Sequence, residues 1–87
     1  MKIKIATWNI NSVRLREDLL CSLLIQHQPD IICLQELKSP TESVPIARID
    51  NLGYKYRVIR GQKGYNGVAI ISRIPTIDSG YWDYCSR

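Results

Sequence analysis

Apolar and polar positions alternate at the start of the chain, where Lys2-Ile3-Lys4-Ile5 leads into an apolar or small run that closes on Trp8 and Asn9. That pattern predicts a strand with one face more buried than the other at its start. Leu15, Leu19 and Leu23, with Leu20 and Leu24 beside them, then recur at the i, i+4, i+8 spacing of one buried helical stripe. Ser12 is placed to cap that helix, and Arg14, Arg16, Glu17 and Asp18 mark its solvated side. Pro29 ends it, because the residue before a proline is pushed out of the α region. Ile31-Ile32-Cys33-Leu34 follows without alternation, as a strand buried on both faces does.

Strand, helix and a second, wholly apolar strand predict an α/β layered fold with helices covering a sheet, and they place Glu36 at the end of the second strand. Beyond it, Ser39 to Ser43 is polar, contains Pro40 and reads as a surface loop. Pro45 is suited to open a short helix that Gly53 closes. Tyr54 to Arg60 and Val68 to Arg73 are rich in strand-forming residues. Gly61-Gln62-Lys63-Gly64-Tyr65-Asn66-Gly67 between them has the composition of a long hairpin connection. From Ile74 the pattern fades through Pro75, Gly80 and two Tyr to Arg87.

With 87 residues the chain supports one core, and a domain of that size buries only roughly 60 to 65% of its unfolded surface. An apolar content of 45% beside 23% charged residues excludes a disordered or fibrous chain. Lys and Arg outnumber Asp and Glu by 12 to 8, a modest positive field that favours a polyanionic partner without specifying one. Cys21, Cys33 and Cys85 are odd in number and lack C-x-x-C spacing, so reduced thiols are the simplest expectation. The apolar start is too short for a signal peptide, and no run approaches the ~20 apolar residues of a membrane span. A soluble, cytoplasmic protein is expected.

Asn9 and Glu36 end two strands that the intervening helix makes parallel neighbours, so both side chains can emerge at one edge of the sheet. A carboxylate beside a neutral amide suits Mg²⁺, which prefers oxygen ligands, keeps several waters and takes one or two protein carboxylates. On chemistry alone, a surface carboxylate and a turn amide are the simpler reading. Arg57, Arg60, Lys63 and Tyr65 alternate charge, loop and ring in a way that can meet a DNA backbone. The plain alternative is a basic hairpin kept soluble by its charges. His27, the one histidine, suits the C-terminal end of the first helix better than catalysis.

Three segments shift this balance. Thr7-Trp8-Asn9-Ile10-Asn11-Ser12-Val13-Arg14, then Gln28-Pro29-Asp30-Ile31-Ile32-Cys33-Leu34-Gln35-Glu36-Leu37-Lys38, then Gly61 to Ile70 resemble, in order and at close to the same spacing, three motifs of the exodeoxyribonuclease III family. The resemblance runs from Met1 to about Ser72 and continues more weakly through Asp83-Tyr84-Cys85. It implies the endonuclease/exonuclease/phosphatase fold, a four-layer α/β sandwich of two sheets flanked by helices, of which residues 1–87 would be a partial, N-terminal domain lacking the C-terminal part.

By the same resemblance, Glu36 is the metal-binding glutamate and Asn9 the amide that supports the catalytic site. Mg²⁺ is the expected cofactor, with Mn²⁺ as its alternative. Asn11 matches a position near the metal and Lys38 one where a basic residue follows the glutamate, each with a secondary role, and Arg57, Lys63, Tyr65 and Asn66 are the DNA-contact candidates. The implied activity is 3′-to-5′ exonuclease and abasic-site endonuclease on double-stranded DNA, especially abasic sites and 3′ ends, by a protein monomeric at full length and independent of membranes.

The family's histidine–aspartate system and its further Asp, Asn and Tyr residues fall beyond Arg87, so little or no nuclease activity is expected of the chain alone. Low stability is expected too, with apolar sheet surface exposed and the last strand unpaired. Two other readings stand beside this one: a decayed, non-catalytic gene product with weak DNA binding, and a phosphodiesterase of the same superfamily acting on a non-DNA substrate.

Overall fold

The computed structural model describes residues 2–60 and 67–75. Its elements are strand β1 (Ile5–Asn9), helix α1 (Glu17–His27), strand β2 (Ile31–Gln35), a 3₁₀ turn (Thr41–Ser43), helix α2 (Ile46–Asn51) and strands β3 (Tyr56–Arg60) and β4 (Val68–Ser72). The strands form one mixed sheet in the order β1-β2-β4-β3. β1 runs parallel to β2, and β4 is antiparallel to both β2 and β3. The expected α/β class, the parallel pair and the hairpin are all present.

Both faces of the sheet are apolar at its centre. On the helix side Leu20, Leu24 and Ile49 pack over Ile32, Leu34, Ala69 and Ile71, with Ala6, Trp8 and Ile59 joining from the outer strands. On the other side Ile31, Cys33 and Ile70 form a second cluster with Ile74. All four residues from Ile31 to Leu34 are buried, as an unalternating strand requires. The expected exposed sheet face is therefore only partial: Ile5 and Tyr56 keep 39% and 41% of their surface, whereas Ile31 and Ile70 keep none. Nor is the last described strand an edge. β4 lies between β2 and β3, which leaves β1 and β3 at the edges among the described strands.

Helix α1 corrects the sequence expectation. It starts at Glu17, its N-cap is Arg16 without a side-chain cap, and its buried residues are Leu20, Cys21 and Leu24. Leu15 and Leu19 are 81% and 58% exposed. The cause lies upstream. Ser12 stands at φ +90°, far from the extended backbone an N-cap needs, because its N–H is drawn to the Glu36 carbonyl (3.0 Å) and that of Val13 to Leu37 (2.9 Å). The chain spends residues 13–16 in a turn before it can enter the helix, and the buried stripe shifts with it. Glu17 and Asp18 supply negative charge to the first turn, where both also pair with Arg48 at 2.9 and 2.5 Å. At the other end Gln28, left-handed at φ +46°, returns its N–H to Leu24 ahead of Pro29.

The short helix α2 follows Pro45, and Gly53, at φ +97°, turns the chain out of it. The loop before it is less exposed than expected, since Ser39 is fully buried. Cys21 is a buried free thiol, whereas Cys33 is disulfide-bonded, so the expectation of reduced thiols does not extend to Cys33. No described helix is long and apolar enough to cross a membrane.

The end of the sheet where β1 begins is clamped by Asp30. Its carboxylate accepts the Lys4 N–H (2.7 Å) and the Arg73 guanidinium (2.9 Å), while its carbonyl accepts the Arg73 N–H (3.0 Å). The Lys4 N–H, then Arg73, hold the Asp30 carboxyl below the ordinary carboxylate range. Asp50 is lowered in the same way by Arg57 and then Lys55. Nearby, the buried Tyr54 hydroxyl donates to the Pro29 carbonyl at 2.5 Å.

Tyr54→Phe should cost about 1 to 2 kcal/mol, since it removes a buried donor and leaves a carbonyl unpaired; the urea midpoint measures it. A carboxyl lowered by folding stabilises fully above its unfolded pKa of about 4 and loses that contribution as pH falls through the lower folded value. Stability should therefore drop below about pH 4, and Asp30→Asn should flatten that acid limb in a melt-versus-pH series.

Candidate metal and nucleic-acid site

Because β1 and β2 are parallel and in register, with Asn9 paired to Gln35, both strands end at the same level. Glu36 is the first residue past β2, and the Asn9 side-chain amide donates to its carboxylate Oε2. The two residues that sequence spacing placed at one sheet edge are thus in direct contact. Asn9 is exposed and Glu36 half-buried, so the pair opens to solvent over a buried floor made by Ile10, Val13 and Leu37.

The backbone around the pair is unusual. Asn11 (φ +50°), Ser12 (φ +90°), Glu36 (φ +54°) and Lys38 (φ +51°) all lie in the left-handed region, which costs a non-glycine residue of order 1 kcal/mol or more and collects at functional sites. Here the two loops hold each other in that shape. Ile10, Ser12 and Val13 donate in succession to the carbonyls of Gln35, Glu36 and Leu37 (2.9–3.0 Å), so the β1–β2 ladder continues past both strands. Asn11 is exposed and Lys38 half-buried, each beside one member of the pair.

The Leu37 N–H donates to the carbonyl of Gly67 (3.2 Å), itself left-handed at φ +90°, and so ties the foot of the β3–β4 connection to the Glu36 loop. The other foot, Arg60, pairs with Val68, which pairs in turn with Gln35 beside Asn9. Arg60, Val68, Gln35 and Asn9 thus form one row across the sheet. Lys63, Tyr65 and Asn66 lie on that connection, outside the described residues. Arg57 stands apart. It is in the row of Ile71, Ile32 and Ala6 on the helix-facing side, and it donates to Asp50 (3.1 Å) and the Lys55 carbonyl (3.3 Å). His27 ends α1, where its carbonyl accepts from Lys4 Nζ at 2.6 Å, and it plays no part in the site.

Sequence reasoning missed Arg16. Assigned to a solvated helix face, it is half-buried and donates through Nη1 to the Asn11 carbonyl at 2.7 Å. No periodicity signals such a contact, which depends on the turn that delays the helix.

The oxygen-rich pair fits a hard divalent cation in part. Asn9 occupies one oxygen of the Glu36 carboxylate and leaves the other, with its own amide oxygen, as donors. Among the described residues no group of three or more His, Cys, Asp or Glu side chains could hold a metal ion, so waters or other ligands would have to complete a shell.

Known proteins carry the same architecture. The sequence model of the Endonuclease/Exonuclease/phosphatase family matches residues 6–86. Exodeoxyribonuclease III of Haemophilus influenzae is 39% identical over 71 residues, which span 82% of this chain and 26% of that protein. A 3′ phosphatase from Neisseria, solved with a product DNA hairpin, superposes with a TM-score of 0.78 at 46% identity, over 83% of this chain and 28% of its own. An AP endonuclease from Archaeoglobus fulgidus gives the same TM-score at 43% identity, with the same coverage. The chain spans about a quarter of the length of these relatives. With nearly its whole length matched, and with its sheet superposing on theirs, the chain belongs to the endonuclease/exonuclease/phosphatase family, among relatives named exodeoxyribonuclease III and AP endonuclease.

Proposed function

We propose that this chain carries one part of the active site of a Mg²⁺-dependent DNA-repair nuclease of the exodeoxyribonuclease III type, which hydrolyses phosphodiester bonds at abasic sites and 3′ ends of duplex DNA. The observation that supports it is the Asn9–Glu36 contact at the end of two parallel strands. Glu36 would hold the cation, Mg²⁺ or alternatively Mn²⁺, and Asn9 would fix the carboxylate's orientation. Such a cation, when bound, supplies positive charge to the phosphate and to the departing oxygen.

Hydrolysis also needs a base to take a proton from the attacking water as its oxygen bonds to phosphorus and one bridging P–O bond breaks. No described residue beside the pair is placed for that work: Asn9 is a neutral amide, and the one histidine lies at the far end of α1. The chain by itself is therefore proposed to bind a cation weakly and to turn over little or no DNA.

DNA contact is proposed for the connection that carries Lys63, Tyr65 and Asn66, whose one foot, Arg60, lies in the Asn9 row and whose other, Gly67, is bonded to Leu37 beside Glu36. A net charge of +4 supports a polyanionic partner. Arg57 would have to give up its bond to Asp50 to reach a phosphate, so among the basic candidates it is the least suited.

With Mg²⁺ and an abasic-site duplex, the purified chain should show no cleavage above that of Glu36→Ala; cleavage that Glu36→Ala abolishes would show the chain to be competent alone. Binding to duplex DNA should be non-specific, with Kd in the range of about 10⁻⁴ to 10⁻⁶ M at physiological salt. Lys63→Ala should lower the slope of log K against log salt by about 1, read by fluorescence anisotropy. An unchanged slope removes Lys63 from the interface.

A further inference from the structure

The Arg16 guanidinium reaches the loop that leaves β1 beside Asn9. Nη1 donates to the Asn11 carbonyl at 2.7 Å, its backbone N–H donates to the Ser12 carbonyl at 3.3 Å, and its own carbonyl accepts the Leu20 N–H at 2.8 Å, the first bond into α1. The side chain therefore fastens the loop of residues 11–15 onto the start of a rigid helix. The Ser12 hydroxyl takes the Leu15 N–H at 3.4 Å within the same turn.

That loop holds Asn11 and Ser12, two consecutive left-handed non-glycine residues, a conformation that persists only where the surroundings enforce it. What the conformation delivers is the Ser12 N–H, aimed at the carbonyl of Glu36. Glu36 is left-handed too, and its carboxylate meets the Asn9 amide. We propose that Arg16 is a positioning residue for the Asn9–Glu36 pair: its bond to the Asn11 carbonyl holds the β1–α1 loop in the shape that fixes the backbone of Glu36 and thereby sets the carboxylate against Asn9. Where the pair serves a cation, an effect on affinity follows, and that arm alone rests on the function proposed above. Groups that hydrogen-bond a metal ligand directly typically contribute 10- to 100-fold to metal affinity, and Arg16, which acts through Asn11 and Ser12, should contribute at most the lower end of that range.

The test reads the Asn9 side-chain amide directly, by ¹⁵N–¹H correlation spectra of the 87-residue chain, and compares two arginine losses at opposite ends of the sheet. Arg16→Met should move the Asn9 NH₂ resonances toward those of solvent-exposed asparagines and speed their exchange. It should also lower Mn²⁺ affinity, followed by paramagnetic broadening, by roughly 10-fold. Arg73→Met breaks the clamp on Asp30 at the other end and should leave the Asn9 resonances in place at a comparable loss of melting temperature. Should Arg16→Met fail to fold, Arg16→Gln keeps a polar, helix-compatible side chain too short to reach Asn11, and it should displace the Asn9 resonances in the same direction. Unmoved Asn9 resonances in either Arg16 variant, or an equal displacement in Arg73→Met, overturns the proposal. A wild-type chain that binds no Mn²⁺ sinks the proposed metal function while the amide comparison still decides the role of Arg16.

Discussion

Because β1 and β2 run parallel with Asn9 opposite Gln35, the two strands give out at the same level, and the chain leaving each must turn away while its polar groups remain partly covered. Backbone donors and acceptors cannot be left unpaired in that position without a cost comparable to a lost hydrogen bond. The two exits resolve this by bonding to each other, through Ser12 to Glu36 and Val13 to Leu37. The late start of α1, the left-handed residues and the meeting of Asn9 with Glu36 all follow from that mutual pairing.

The two ends of the sheet are secured by different physics. At the Asp30 end, charge does the work: one carboxylate gathers a backbone N–H from the start of β1 and a guanidinium from beyond β4. At the Glu36 end the ties are mostly neutral main-chain bonds over a fully buried floor of Ile10, Val13 and Leu37.

Much of this was legible in the residues. Unbroken Ile31 to Leu34 could only be a strand covered on both sides, and two strands joined by one helix had to be parallel, which brought Asn9 to Glu36 across 27 positions. Helix α1 was misread because the leucine spacing at 15, 19 and 23 suits a helix that begins at Ser12, whereas contacts with a loop twenty-odd residues away forbid one there. Arg16 escaped for the same reason. Periodicity reports which face of a regular element is buried and is blind to a side chain that bonds back across an irregular turn. The burial of Ile31 on the second face was already implied by the missing alternation of Ile31 to Leu34, and Ile70 joins it there across the β2–β4 pair.

Asn9 rides on β1, and β1 is an edge strand among those described, with Ile3 and Ile5 half out of the core. Local opening takes less free energy where fewer buried contacts and backbone hydrogen bonds hold the chain. The carboxylate, by contrast, follows a strand bonded on both sides. Asn9 thus belongs to a strand with one described neighbour, and Glu36 follows a strand with two. A polypeptide segment pairing along the edge that β1 presents among the described strands would restrain Asn9 without touching either member of the pair, a coupling through the backbone rather than through side-chain contact.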